Sequence, residues 1–552
     1  MEDENFNDSP KIICIIQVTR LGDLIQTIQS LTTNSPNKNI QFNLIALDIF
    51  AKDIEFLLKK FFTKIYYITK DFYNELEQQE ELPSKKNKLI DEISGSGISA
   101  LINLSWSKPA NILTSLIQSR FKLGLYFDKD FNLISNDDWS KFVYTNVLPT
   151  TLNPFSLIDI YKKIIGIKGS SEFRPEFKIG GPIVIHPFSS QERKNWKIEK
   201  WIEVISSTLN KIENISIIIV GSKSDIKESE IIDNYFLNSP FKSRIENIIG
   251  QTTIEDLHNI LQKCYLFVGH DSMVGHLASF NNVPCLTISL GTVRFNETMP
   301  YGDGNYNISP RTKCFPCFPY LKCDYYKCHQ DVPTKVVSSA IECLIEKQRI
   351  DNSLLEDKVS NFQLNSIDIQ KSFFKETEML DTYKVLDQYP NLSSIFKIYY
   401  RILWLYSLEE EEENIKFPVI PEKFNSELHE YMDGLKYLFE LNEFGKNYAN
   451  YIIKESHLKN PSYEVLSTNA NKIQEIDELK IKIKENYPFL SPIIDFSIFE
   501  KASLQGDNII DVSHNALLAY QNCSNLTSIL YELIEKSLNN SSLNKKQVDK
   551  SI

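Results

Sequence analysis

No apolar run in the 552 residues approaches the roughly 18 to 20 that a membrane-spanning helix needs, so any membrane contact is expected to be peripheral, at the inner membrane. The basic surplus of a general nucleic-acid binder is also missing. Lys and Arg number 60 against 72 Asp and Glu, a formal charge of -12, and no nucleic-acid partner is expected. The start, Met1-Glu-Asp-Glu, is acidic and lacks the unbroken apolar core of a secretion signal, which makes the cytoplasm the expected location. No convincing internal repeat is evident. What is present is a soluble globular composition, 42% hydrophobic and 24% charged, in a chain long enough for two or three domains.

The first third alternates short apolar strands with helical stretches, the pattern of a parallel sheet covered by helices. Strands are expected at Ile12 to Val18, Phe42 to Leu47, Lys64 to Thr69, Ala100 to Ser105 and Lys122 to Tyr126. A Gly-, Ser- and Pro-rich segment from Gly169 to Pro182 reads as a linker. A second series follows, with strands at Ile183 to His186, Ile215 to Val220, Glu246 to Ile249, Leu266 to Val268 and Cys285 to Ser289. Helices are expected near Glu199 to Leu209, Ile254 to Leu261 and Met273 to Phe280. After about Ile350 the strand signal fades. Glu430 to Ile453 and Ala516 to Leu538 carry helical spacing, Glu409 to Glu413 reads as a solvated acidic run, and the polar tail from Asn539 to Ile552 is expected to fray. The expected domains are therefore 1–170, 181–350 and a helical extension, 351–552.

Three stretches carry chemistry. Strand residues 12–18 run into Arg20-Leu-Gly-Asp23, where Gly22 permits close backbone approach and the following amides favour negative charge. On local evidence Asp23 reads first as a helix cap. His186-Pro-Phe-Ser-Ser-Gln-Glu-Arg-Lys-Asn-Trp196 offers hydroxyls at Ser189 and Ser190 and a cation at Lys194 or Arg193 for phosphate. Val268-Gly-His-Asp-Ser-Met-Val-Gly-His276 is a third strand-to-helix turn, with Asp271, Ser272 and His276 as polar candidates. Nearby, Gly291 and Thr292 open the loop after another strand.

These segments resemble the heptosyltransferases of glycosyltransferase family 9, which are GT-B enzymes. The family opens with a strand and an Arg-x-x-Leu-Gly-Asp-like turn, and its Asn-Asp-Ser-Gly-Pro-Met-His-Leu-Ala-Ala turn is similar to residues 270–279. Here His270 replaces Asn, Met273 and Val274 stand where the family has Gly-Pro, and the Pro expected after Gly291 is absent. The resemblance implies a GT-B fold, with two Rossmann-like α/β domains facing a cleft, to which this chain adds a C-terminal all-α domain. It implies inverting transfer with Asp23 as general base. Gly22, Ser189, Ser190, Lys194, Asp271, Ser272, His276, Gly291 and Thr292 would hold the donor. ADP-heptose is the donor it implies, with lipopolysaccharide core or a protein as acceptor and no cofactor needed for catalysis. Alternatives are a non-catalytic nucleotide-sugar binder, or a transferase fused to a helical interaction module through which the chain could oligomerise.

Of nine cysteines, Cys314, Cys317, Cys323 and Cys328 share one short segment. In a cytoplasmic chain such a cluster reads as metal before disulfide, and four thiolates suit tetrahedral zinc or an iron centre in a structural role. Unligated, reduced thiols are the alternative. Some protein-modifying heptosyltransferases are similar in carrying a four-Cys iron site.

Overall fold

The computed structural model describes residues 11–32, 39–83, 87–168, 173–375, 377–386, 390–411, 420–503 and 508–548. The acidic start, linker residues 169–172, residues 412–413 of the acidic run and residues 549–552 of the polar tail lie outside them. The chain divides into two compact units. One comprises Met1–Glu77, Ser96–Ser107 and Phe155–Gln388, and the other Gln78–Gly95, Lys108–Pro154 and Tyr389–Ile552.

The first unit begins with β1 (Lys11–Gln17), α1 (Leu21–Leu31), β2 (Ile40–Leu47), β3 (Lys64–Ile68) and β4 (Ala100–Asn103). These strands are parallel in the order β3-β2-β1-β4. β1 enters from solvent at Lys11 and is buried from Cys14 onward, as its run of β-branched residues requires. Leu24, Ile25, Ile28 and Leu31 recur at helical spacing along α1 and are buried. A further helix, α2 (Leu157–Ile165), packs beside α1.

The second half of this unit contains β5 (Ile183–His186), α3 (Ile198–Lys211), β6 (Ile217–Ile219), β7 (Ile245–Asn247), α4 (Ile254–Leu261), β8 (Leu266–His270), α5 (Met273–Phe280) and β9 (Cys285–Ile288). It continues with β10 (Tyr306–Pro310), α6 (Thr334–Lys347), β11 (Ile367–Phe374) and β12 (Leu380–Lys384). The sheet order is β7-β6-β5-β8-β9-β10-β11-β12, parallel through β10 and antiparallel thereafter. Trp201, Ile205, Val336, Val337, Ala340 and Leu344, from α3 and α6, pack with Ile183, Ile185, Ile217 and Leu266 in one buried cluster. The unit thus contains two Rossmann-like halves, each a mainly parallel sheet with helices packed against it.

Two expectations change here. Residues 351–384, expected in the helical extension, include β11 and β12, and Ile367 and Ile369 are buried in the same cluster. Their polar alternation, Asp368, Gln370 and Ser372, masked a strand signal. The expected strand from Lys122 to Tyr126 is broken in two at Gly124, whose φ of 100° no extended strand adopts. Its second piece pairs antiparallel with Leu133–Ser135, and both pieces belong to the second unit.

The second unit is mainly helical, built from α7 (Leu392–Glu409), α8 (Asn425–Ser456), α9 (Tyr463–Asn486), α10 (Ser491–Ala502) and α11 (Ile509–Val548). The helical stretches read from sequence fall inside α8 and α11, and α11 carries most of the tail that was expected to fray. An aromatic core joins Phe396, Tyr400, Trp404 and Phe489. Residues far earlier in sequence complete it: Phe142 lies 5.4 Å from Trp404 and Tyr144 lies 4.4 Å from Phe499, ring centre to centre. Among the described residues no helix is long and apolar enough to cross a membrane.

Candidate active site

Four parallel strands of the first unit end on one open cavity of about 1220 Å³: β1, β5, β6 and β8. Ligands in open α/β sheets bind at such carboxyl ends, where the loops leading into helices are free to vary. The starts of α1, α4 and α5 all reach the cavity wall. Each offers first-turn amides that no helix can satisfy internally.

Asp23 lies in the first turn of α1. Its Oδ2 accepts the backbone N–H of Arg20 at 3.1 Å and sits 2.7 Å from the Thr19 hydroxyl, which is itself 2.6 Å from Gln17 Oε1. The cap reading holds, and the bonds that close the helix also fix the carboxylate on the cavity wall. Gly22 is needed where it stands. A Cβ there would lie 3.3 Å from Cδ2 of His276, so glycine lets α1 close onto α5.

Opposite, Lys194 Nζ donates to Asp271 Oδ2 at 2.8 Å, and both side chains are nearly buried. Burial pushes the Asp271 carboxyl up, but Lys194 and His276 outweigh it and hold the group below its ordinary value. Burial lowers the His276 pKa, against the opposing pull of Asp271 and Asp23. His186, also buried, is pushed down to about 4 by burial, and its Nδ1 lies 3.0 Å from the Ser272 hydroxyl. Ser189 and Ser190 complete this wall.

Lys194 and Arg193 face different surroundings. Arg193 Nη1 donates to the carbonyls of Leu321 at 2.9 Å and Phe318 at 3.4 Å, binding the cysteine segment, while Lys194 reaches the cavity. Gly291 and Thr292 do not line it. Thr292 donates to Gln191 at 3.3 Å, and Gly291, at φ 60°, lies so close that a Cβ would meet the Arg193 carbonyl oxygen at 2.4 Å. Both support the loop that carries Lys194. His270, which departs from the family pattern, is a core residue: its Nε2 accepts from the N–H of Trp196 at 2.9 Å and the indole of Trp201 at 3.3 Å.

Sequence reasoning missed part of the wall. The turn Gly221-Ser-Lys-Ser-Asp225 after β6 lines the cavity, locked by Asp225 accepting the Ser222 N–H at 2.8 Å and hydroxyl at 2.6 Å. A strand followed by Gly-Ser-Lys-Ser was signal enough to have placed it there. Thr253 and Gln26 also reach the cavity. Of the four clustered cysteines, Cys314 is exposed, Cys317 and Cys323 are half-buried and Cys328 is buried. Burial and the three neighbouring thiols push Cys317 up to about 11. Among the described residues no group of three or more His, Cys, Asp or Glu is placed to hold a metal ion.

Residues 169–326 match the family model described as glycosyltransferase family 9 (heptosyltransferase). The lipopolysaccharide core heptosyltransferase OpsX of Haemophilus influenzae is 24% identical over 306 residues, 51% of this chain and 79% of that protein. Residues 169–326 are thus similar to the heptosyltransferases of glycosyltransferase family 9. A second relative, lipooligosaccharide heptosyltransferase 2 of Campylobacter jejuni, is 26% identical over 151 residues, 27% of this chain and 46% of its own. Among solved structures, E. coli ADP-heptose lps heptosyltransferase II aligns at a TM-score of 0.42 and 16% identity, covering 63% of this chain and 100% of that chain. The iron-containing dodecameric glycosyltransferase TibC from enterotoxigenic E. coli aligns at 0.36 and 15%, covering 62% and 77%. The family match contains Lys194, Asp271 and His276, whereas Asp23 lies outside it.

Proposed function

We propose that this protein is a glycosyltransferase that moves a heptose from ADP-heptose to a lipopolysaccharide-core acceptor with inversion at the anomeric carbon. The observation that carries the reading is the convergence of Asp23, the Lys194–Asp271 pair and the start of α5 on one cavity. The names of the two relatives support the donor sugar and the acceptor class. In the proposed step an acceptor hydroxyl attacks the anomeric carbon and its proton passes to the Asp23 carboxylate. The bond from that carbon to the diphosphate oxygen breaks as the new one forms, and the electron pair leaves with ADP. Lys194 and the first amides of α5 are preorganised where the leaving charge grows. Asp271 holds Lys194 oriented until phosphate shares its hydrogen bonds.

The test is ADP release and product mass with purified protein, ADP-heptose and core oligosaccharide. Asp23→Asn is expected to bind donor normally and transfer about 10² to 10⁴ times more slowly, the range for a positioned general base. Near-normal transfer would remove Asp23 from the mechanism, and a wild-type protein that binds no ADP-heptose would sink the donor assignment. A protein carrying the added heptose mass would move the acceptor to a polypeptide.

No step passes through the cysteine segment. A structural zinc or iron ion there is a separate proposal, supported by the Cys-x-x-Cys spacing and requiring the thiols to draw together. Elemental analysis of chelator-free protein is expected to find one ion per chain, lost on changing Cys314 and Cys317 to Ser; finding none supports free thiols.

A further inference from the structure

α1 and α5 meet in register. Gly22 lies against His276, and seven residues along α1 the Gln29 amide donates to the Ser279 hydroxyl at 2.9 Å. Gln26 falls between these contacts, one turn beyond Gly22 on the same face, because residues four apart stack along a helix. It is 1% exposed and lines the cavity, and its Nε2 has no hydrogen-bond partner among the described residues. His276, across the same contact, is 6% exposed, also lines the cavity, and its Nδ1 is likewise without a partner. A buried donor left unmet is costly, and apolar side chains of similar size would have filled the position without that cost.

We propose that Gln26 is a sugar-binding residue that, with His276, holds a hydroxyl of the transferred sugar at the cavity floor. This rests on the donor reading above. A hydroxyl both accepts and donates, so its oxygen can take the Gln26 N–H while its proton goes to neutral His276 Nδ1. A phosphate oxygen satisfies only the first of these, which is why the pair selects sugar over diphosphate. The position fits the transferred residue: the phosphates belong at the start of α5 and beside Lys194, and the base, Asp23, is three residues before Gln26 on the same helix.

The experiment compares ADP with ADP-heptose by calorimetric titration, using wild type, Gln26→Leu and Gln26→Met, with Tm recorded for each. ADP affinity is expected to hold in both variants, while ADP-heptose binds about three- to tenfold more weakly, the loss of one neutral hydrogen bond. Tm is expected to stay level or rise, since the apolar groups need no partner. Unchanged affinity for both ligands overturns the proposal. So does equal weakening of both ligands or a fall in Tm, which makes Gln26 a packing residue. A wild type that binds neither ligand overturns the donor reading and this proposal together, a result distinct from any of the variant outcomes.

Discussion

His270 is fully buried and does not line the cavity, and its value lies in being neutral. Burial pushes its pKa down to about 3, and His186 to about 4. The two N–H groups that His270 Nε2 accepts, with its Nδ1 at 3.2 Å from the Ile288 carbonyl, fix one neutral tautomer. Both folded values lie below the ordinary histidine value near 6.5, so the unfolded chain takes up protons that the folded chain refuses. Their contribution to stability is complete above about pH 6.5 and is lost as pH falls through the folded values. His270→Gln keeps an acceptor for the tryptophans and removes the titration. Thermal unfolding followed from pH 7 to 4 is expected to show a smaller loss of Tm in this variant, wild type giving up roughly 3 kcal/mol per imidazole between pH 6.5 and 4. Equal losses in both proteins would mean that His270 is protonated in the fold.

At the scale of elements, the turns after strands β1, β5, β6 and β8 act as one surface although they are far apart in sequence. The loop bearing Lys194 is held from behind. Gly291 lies against the Arg193 carbonyl and its own carbonyl accepts the Cys317 N–H at 2.8 Å. Arg193 reaches the same cysteine segment, and His329 Nε2 lies 2.8 Å from the Arg193 carbonyl. Gly291→Ala adds a methyl against backbone at a left-handed φ, and is expected to destabilise by about 3 kcal/mol and weaken ADP binding by shifting Lys194. Calorimetric ADP titration with Tm checks it, and normal values for both would release Gly291 from this role. The elements best read from sequence are those with a single period: β5, α4 and α5 have the boundaries their apolar spacing gives. β10 escaped because Asn307 and Ser309 look like turn residues. Both are buried, and Asn307 bonds Thr287 at 2.9 Å and Ser289 at 2.6 Å across the sheet.

For the whole molecule, the two compact units do not follow the order of the chain. A cut after Ile350 removes β11, β12 and the core side chains Leu355, Val359, Leu364, Ile367 and Ile369, and is expected to give insoluble protein. A cut after Gln388 preserves that sheet but strips Phe142 of Trp404 and Tyr144 of Phe499, so it too is expected to aggregate. Size-exclusion chromatography with ADP titration of both truncations checks this, and a monodisperse, ADP-binding product from either would restore an independent helical module. What the sequence by itself determined is local: alternating strand and helix, turns at Asp23, Lys194 and Asp271, and long helices near the end, because period and turn chemistry are written within short windows. Only the tertiary structure decided that Lys194 and not Arg193 meets the cavity, that Gly291 and Thr292 support it from behind, and that residues 78–95 and 108–154 join the helices. Each of those depends on which surfaces meet across long separations, and a side chain's periodicity reports that it is buried without reporting what buries it.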